Sequence, residues 1–129
     1  MIPDTHIDLI RRPLLAHAAT IGPDGHPQNN PVWFGWDGEF LRFSQVTGRS
    51  KERNLRRDPR IALSIVDPDY PYRRLEVRGV LDGIEDDSDL HFIDSMAHRY
   101  MGLDHYPWHK PEHHRIVMRI RPVTTTTMG

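Results

Sequence analysis

The chain has 129 residues, with 17 Lys and Arg against 18 Asp and Glu, a net charge of −1 and no cysteine. This length suits one domain with a core of useful size, and the missing cysteines exclude a disulfide framework, a thiolate metal site and a Cys nucleophile. No apolar run approaches the ~20 residues of a membrane helix, and Met1 to Asp8 lacks the basic and apolar regions of a signal peptide, so the expectation is a soluble cytoplasmic protein with no membrane partner.

In chain order, a short helix is predicted over about residues 4–11, closed by Pro13. Leu14 to Ile21 reads as a strand. Gly22-Pro23-Asp24-Gly25 is a tight turn, because Asp-Gly tolerates positive φ, and it makes His26 a turn residue. Pro27 to Trp36 returns as one strand; Pro31 cannot donate to a ladder, so it marks an edge or a bulge. Trp36-Asp37-Gly38 turns the chain into Glu39 to Val46. A basic segment follows. Ile61 to Val66 is a buried strand, Asp67 to Tyr72 a rigid loop, and Arg73 to Ile84 a long strand with Leu75 and Val77 on one face. Asp86 to Tyr100 has helical spacing at Leu90, Ile93 and Ala97, with Asp87 or Ser88 as cap. An aromatic loop from Met101 to Glu112 leads to a last strand with His114, Ile116, Met118 and Ile120 on one face. Residues 122–129, with the Thr124 to Thr127 run, read as a frayed, flexible tail.

Gly48 to Arg60 is the most informative stretch. It holds six basic residues and two acidic ones, a net +4 against −5 for the rest of the chain. Ser50 is placed to cap a short helix, whose first turn offers unpaired N–H groups and positive dipole. With Arg49 and Lys51 there, the segment suits a phosphate. A solvated helix face fits the same composition. Leu55 is its only apolar residue, so weak anchoring is expected. A nucleic-acid partner is disfavoured, because such domains commonly have a pI above about 9 and this chain's is about 6.7. The nine histidines contain no His-Glu-x-x-His, and Pro111 interrupts the His109 to His114 run; no metal is expected, and no axial haem ligand can be named.

Six strands joined largely by short turns, with two or three helices, favour a mainly β, antiparallel barrel. The order Ala18-Ala19-Thr20-Ile21-Gly22-Pro23-Asp24-Gly25-His26-Pro27, then Asn30-Pro31-Val32-Trp33-Phe34, Trp36-Asp37-Gly38, Gly48-Arg49-Ser50-Lys51 and Asn54-Leu55-Arg56-Arg57-Asp58-Pro59-Arg60 resembles the pyridoxamine 5′-phosphate oxidase-like split barrels. It is most similar to their branch using the deazaflavin coenzyme F420. The strand Tyr72-Arg73-Arg74-Leu75-Glu76-Val77-Arg78-Gly79 fits that branch too. The resemblance implies a six-stranded antiparallel split β-barrel with short flanking helices, in a homodimer with two sites at the subunit interface. It implies cofactor phosphate on Arg49, Ser50, Lys51 and Asn54, and a ring system along Asn30, Pro31, Val32 and Trp33. Ser44 and Gln45 would border the site, and Tyr72, Arg74 and Trp108 would reach it from the second subunit. Trp33, Phe34, Tyr72 and Trp108 are candidate walls, although packing roles suit each; His105 and Tyr106 are candidate proton donors. The chain lacks an evident counterpart of the terminal substrate-binding segment of true pyridoxamine phosphate oxidases. The implied function is hydride transfer between coenzyme F420 and a small unsaturated or oxidised organic substrate. An FMN-binding oxidase-like protein and a non-catalytic flavin-type carrier are the alternatives.

Overall fold

A computed structural model of the chain describes residues 1–129. A 3-10 turn at Asp4–His6 leads into α1 (Ile7–Arg11), followed by β1 (Ala16–Ile21), β2 (Pro27–Val32), β3 (Gly35–Trp36), β4 (Leu41–Val46), α2 (Ser50–Arg57), β5 (Arg60–Val66), β6 (Arg74–Asp86), α3 (His91–Met101) and β7 (Arg115–Met128). The strands form one sheet in the order β2-β1-β5-β6-β7-β4-β3, and every pairing is antiparallel. No helix is long and apolar enough to cross a membrane.

The strand predicted over Pro27 to Trp36 divides in two, giving seven strands instead of six. Val32 ends β2 at one edge of the sheet, and Gly35 opens β3 at the other. Laid flat, seven strands would set those edges roughly 29 Å apart at about 4.8 Å per gap, whereas three Cα steps reach only about 11 Å. The sheet must therefore curl until its edges nearly meet, which makes it a split barrel. Tyr100 of α3 tethers this region. Its hydroxyl donates to the Leu14 carbonyl at 2.7 Å and accepts the Phe34 N–H at 3.0 Å, while burial pushes its phenol pKa up. Pro31 lies on an edge strand, where its missing N–H costs no inner ladder bond.

The core fills the inside of the curl. Leu9 and Ile10 of α1 close it with Ala16, Ala18, Phe34, Leu41, Phe43, Leu63, Ile65, Leu75, Val77, Met118 and Ile120, all fully buried. Phe34 is thus a core residue and not a wall of any cleft. The tail expected over 122–129 is instead the second half of β7. Thr124 to Met128 pair with Arg78 back to Arg74, and the Thr126 hydroxyl donates to Glu76 at 3.0 Å; a run of β-branched threonines suits such a ladder. The β6–β7 register slips at Arg78/Gly79. A Cβ on Gly79 would lie 2.6 Å from the Arg121 carbonyl oxygen, so the close approach there requires glycine. The helix expected from Asp86 starts only at His91, with Leu90 at φ +64° in the position before it; Asp87 still serves its first turn, its carboxylate accepting the Phe92 and Ile93 N–H groups at 2.8 and 3.0 Å.

Candidate functional site

The basic segment folds largely as predicted, but its helix is better anchored than its composition suggests. Leu55 is buried in the core, an interaction of about 1.5–3 kcal/mol. Lys51, Glu52 and Asn54 are buried beside it. Ser50 is not the cap: Arg49 occupies that position, and no side chain closes the end. Gly48, with φ +91°, swings the chain so that its N–H donates to Glu52 at 2.7 Å. Glu52 also accepts the Arg56 Nε–H at 2.6 Å. The Gly48 N–H and Arg56 together hold its carboxyl below the usual range. The one acid of the first turn is thereby engaged, and Arg49 and Lys51 carry the local positive charge.

Asn54 was expected to hold phosphate. Its amide instead donates to Thr20 Oγ1 at 3.1 Å and Gln28 Oε1 at 2.8 Å, and its oxygen accepts from Arg57 at 3.0 Å. Each of these partners lies within the protein, so Asn54 fastens α2 to the β1–β2 hairpin. Arg57 also donates to the Ile21 carbonyl at 2.9 Å and fastens the same junction.

Lys51 is different. Only 6% of it is exposed, yet its ammonium bonds to the neutral Asn30 Oδ1 and no carboxylate lies within ion-pair distance. Burial lowers its pKa. It borders a cleft of about 590 Å³ between the β2 edge, β4, the start of α2, α3 and the loop before β7. Asn30, Pro31, Val32, Trp33, Ser44, Gln45, Arg49, Ser50, Lys51 and Trp108 all line this cleft, Trp108 from its own protomer and not, as expected, from the second subunit. Tyr72 and Arg74 do not. They are exposed on the β5–β6 connection and at the start of β6. None of the lining residues is acidic.

The aromatic wall is built by one stacked and two edge-on ring contacts. Trp33 lies flat on Tyr100 at 5.1 Å, Tyr106 meets Trp33 edge-on at 6.2 Å, and Trp108 meets Tyr106 edge-on at 5.5 Å. The carboxylate of Asp94 on α3 fixes this loop by accepting the Tyr106 N–H at 2.8 Å. Of the two candidate proton donors, Tyr106 lines the cleft. His105 is exposed and contacts Asp94 at 3.1 Å. Leu15, Gln28, Ile93, Met96 and Arg115 complete the lining, and no sequence motif marks them as site residues. For Arg115 the available signal is its place in β7, on the face opposite Ile116, Met118 and Ile120. His113, just before it, is held below the ordinary imidazole pKa by burial and by the charges of Arg49 and Arg115.

A curled antiparallel sheet with a cationic, aromatic cleft beside its split defines a split barrel with an anion-binding cleft. The family model for pyridoxamine 5′-phosphate oxidase matches residues 2–129. The chain therefore belongs to the pyridoxamine 5′-phosphate oxidase family. Among solved structures it is similar to an F420 reductase, with 41% identity over 97% of this chain and 98% of that one and a TM-score of 0.88. It is also similar to a conserved hypothetical protein of Mycobacterium tuberculosis, with 25% identity, 99% and 85% coverage and a TM-score of 0.77. HupZ of Group A Streptococcus, at 19% identity, 98% and 94% coverage and a TM-score of 0.68, shares the fold. No protein of curated function matches the chain.

Proposed function

We propose that the cleft binds the deazaflavin coenzyme F420, and that the protein uses it to transfer a hydride to a small unsaturated or oxidised organic molecule. The observation that carries this reading is Lys51: a buried ammonium with one neutral partner, facing a cleft without a carboxylate. A buried charge is costly unless an opposite charge completes it. An anionic ligand would do so, and the N–H groups at the start of α2 together with Arg49 favour a phosphate in the same place. The 41% identical F420 reductase supports the deazaflavin over FMN.

The residues fit such a group. Arg49, Ser50 and Lys51 would hold its phosphate, and Asn30, Pro31, Val32 and Trp33 would border its ring system, with Ser44 and Gln45 across the cleft. When bound, a deazaflavin supplies hydride chemistry through its own ring carbon, and the protein supplies orientation and electrostatics. Trp33, Tyr106 and Trp108 would exclude water and hold a planar molecule against the cleft wall. Tyr106 is the one candidate proton donor that the cleft contains.

The assembly proposed with this reading is a two-fold homodimer with two equivalent sites. Tyr72 and Arg74, exposed and outside the cleft of their own protomer, are proposed to enter the partner's. Titration of the purified protein with both cofactors tests the reading. Coenzyme F420 is expected to bind at least ten-fold tighter than FMN, a difference of about 1.4 kcal/mol. Equal affinity, or tighter FMN, favours the oxidase-like alternative.

A further inference from the structure

Two cationic side chains in the protein are buried, Lys51 and Arg115, at 6% and 8% exposure. Neither has an ion-pair partner, and both line the same cleft. They approach it from opposite sides of the split. Lys51 is held by Asn30 on β2, one edge strand, whereas Arg115 is held by Ser44 on β4, beside the other edge. The fold elsewhere gives its part-buried arginines acidic partners: Arg73 takes Asp8 and Asp67, Arg42 takes Asp37 and Glu85, and Arg119, four residues along the same strand, takes Asp82 and Glu85. Arg99, which has no acid, donates to the Arg11 and Arg12 carbonyls. Arg115 makes one hydrogen bond, from Nη1 to the Ser44 hydroxyl at 3.1 Å; its Nε is buried without an acceptor, as are those of Arg99 and Arg119, but of the three it alone has neither an acid nor a carbonyl as partner. Its guanidinium is positioned over the Tyr106 ring, 4.5 Å from the centroid.

We propose that Arg115 forms a second anion subsite of the cleft, separate from the phosphate seat, which recognises the carboxylate of a planar, conjugated ligand. A guanidinium offers five N–H donors in a plane that matches a carboxylate in two-pronged fashion. The Tyr106 ring holds the guanidinium in place, and Trp33 and Trp108, each edge-on to Tyr106, provide apolar aromatic faces for the rest of the molecule. The substrate class that follows is an aromatic or conjugated carboxylate. The inference rests on the cleft being the ligand site, as in the proposed function, and not on the identity of the cofactor.

Benzoate, its neutral isostere benzamide and inorganic phosphate test it, with Trp33 and Trp108 fluorescence as the readout. Benzoate is expected to bind at least ten-fold tighter than benzamide, with an affinity unchanged by saturating phosphate. Arg115→Met should weaken benzoate at least ten-fold, and Arg115→Lys, which keeps the charge but not the fork, at least three-fold. Each should change phosphate affinity less than three-fold, while Lys51→Ala should do the reverse. Thermal melts identify a variant that fails to fold; Arg115→Lys and the wild-type comparison of benzoate with benzamide then decide the matter. Equal binding of benzoate and benzamide, competition between benzoate and phosphate, or equal losses at Lys51 and Arg115 would overturn the second subsite. Absence of phosphate binding with the benzoate pattern intact would remove the phosphate seat and leave Arg115 standing.

Discussion

At Lys51 stability and binding pull in opposite directions. The ammonium is desolvated by burial and meets only an amide oxygen, so in the free protein it is a local cost. Replacing buried charge with an apolar chain of similar volume is commonly neutral or stabilising. Lys51→Met should therefore leave the melting temperature unchanged or raise it by a few degrees, while weakening an anionic ligand ten-fold or more. Asn30 is exposed, so water replaces the lost partner. A clear fall in melting temperature with unchanged ligand affinity would make Lys51 a structural residue. This contrast was only half legible in the sequence. Arg49-Ser50-Lys51 was marked by charge and by its place after a turn. The sequence did not show that Lys51 is buried, because burial there depends on the β2 edge folding over the start of α2. Asn54 shows the opposite case: its position in the motif suggested a ligand contact, but its amide is committed to Thr20 and Gln28.

At the scale of elements, the turns were the most readable feature, because their residues act locally. Asp37 accepts the Glu39 and Phe40 N–H groups at 2.8 and 2.7 Å and pairs with Arg42, which links the β3–β4 turn to Glu85 on β6. Burial opposes ionisation of Asp37, but the Phe40 and Glu39 N–H groups and Arg42 overcome it and hold the pKa at about 2, below the ordinary 3.8. A carboxylate with a depressed folded-state pKa adds stability above its unfolded value and loses it as pH falls towards the folded one. The Asp37 contribution is thus complete above about pH 4 and fades between about 3.8 and 2. Thermal melts of wild type and Asp37→Asn should differ at pH 6 and converge at pH 2; a constant difference across that range would contradict this account. Strand ends were less readable. The Pro27 to Trp36 run is continuous in composition and divides only because the curl of the sheet sends its two halves to opposite edges. The Thr124 to Thr127 run has no apolar alternation, so its pairing with β6 left no periodic signal.

For the whole molecule, the order of motifs along the chain carried the resemblance to the split barrels although one of the seven strands was not predicted, because turn chemistry and the basic helix agree. The cleft's far wall was harder to foresee. Trp33 and the stretch from Tyr106 to Arg115 lie far apart in the chain and meet only after the sheet has curled. The proposed dimer belongs to this scale. Sedimentation should give a dimer at micromolar concentration, and Arg74→Glu should weaken cofactor binding although Arg74 lies outside its own protomer's cleft. A stable monomer with full affinity would rule out a shared site.

The central claim is that the start of α2 is an anion seat completed by a ligand phosphate. Titration of coenzyme F420 into wild type, Lys51→Ala and Arg57→Ala at low and high salt tests it most directly. A charge-assisted hydrogen bond is worth about 1.5–3 kcal/mol net, so Lys51→Ala should weaken binding roughly ten- to a hundred-fold. Arg57 is engaged by Ile21 and Asn54 away from the cleft, so its loss should change affinity much less. Added salt should weaken the wild-type complex more than the Lys51 variant, which has already lost the screened contact. Comparable losses below two-fold at both positions would contradict the claim.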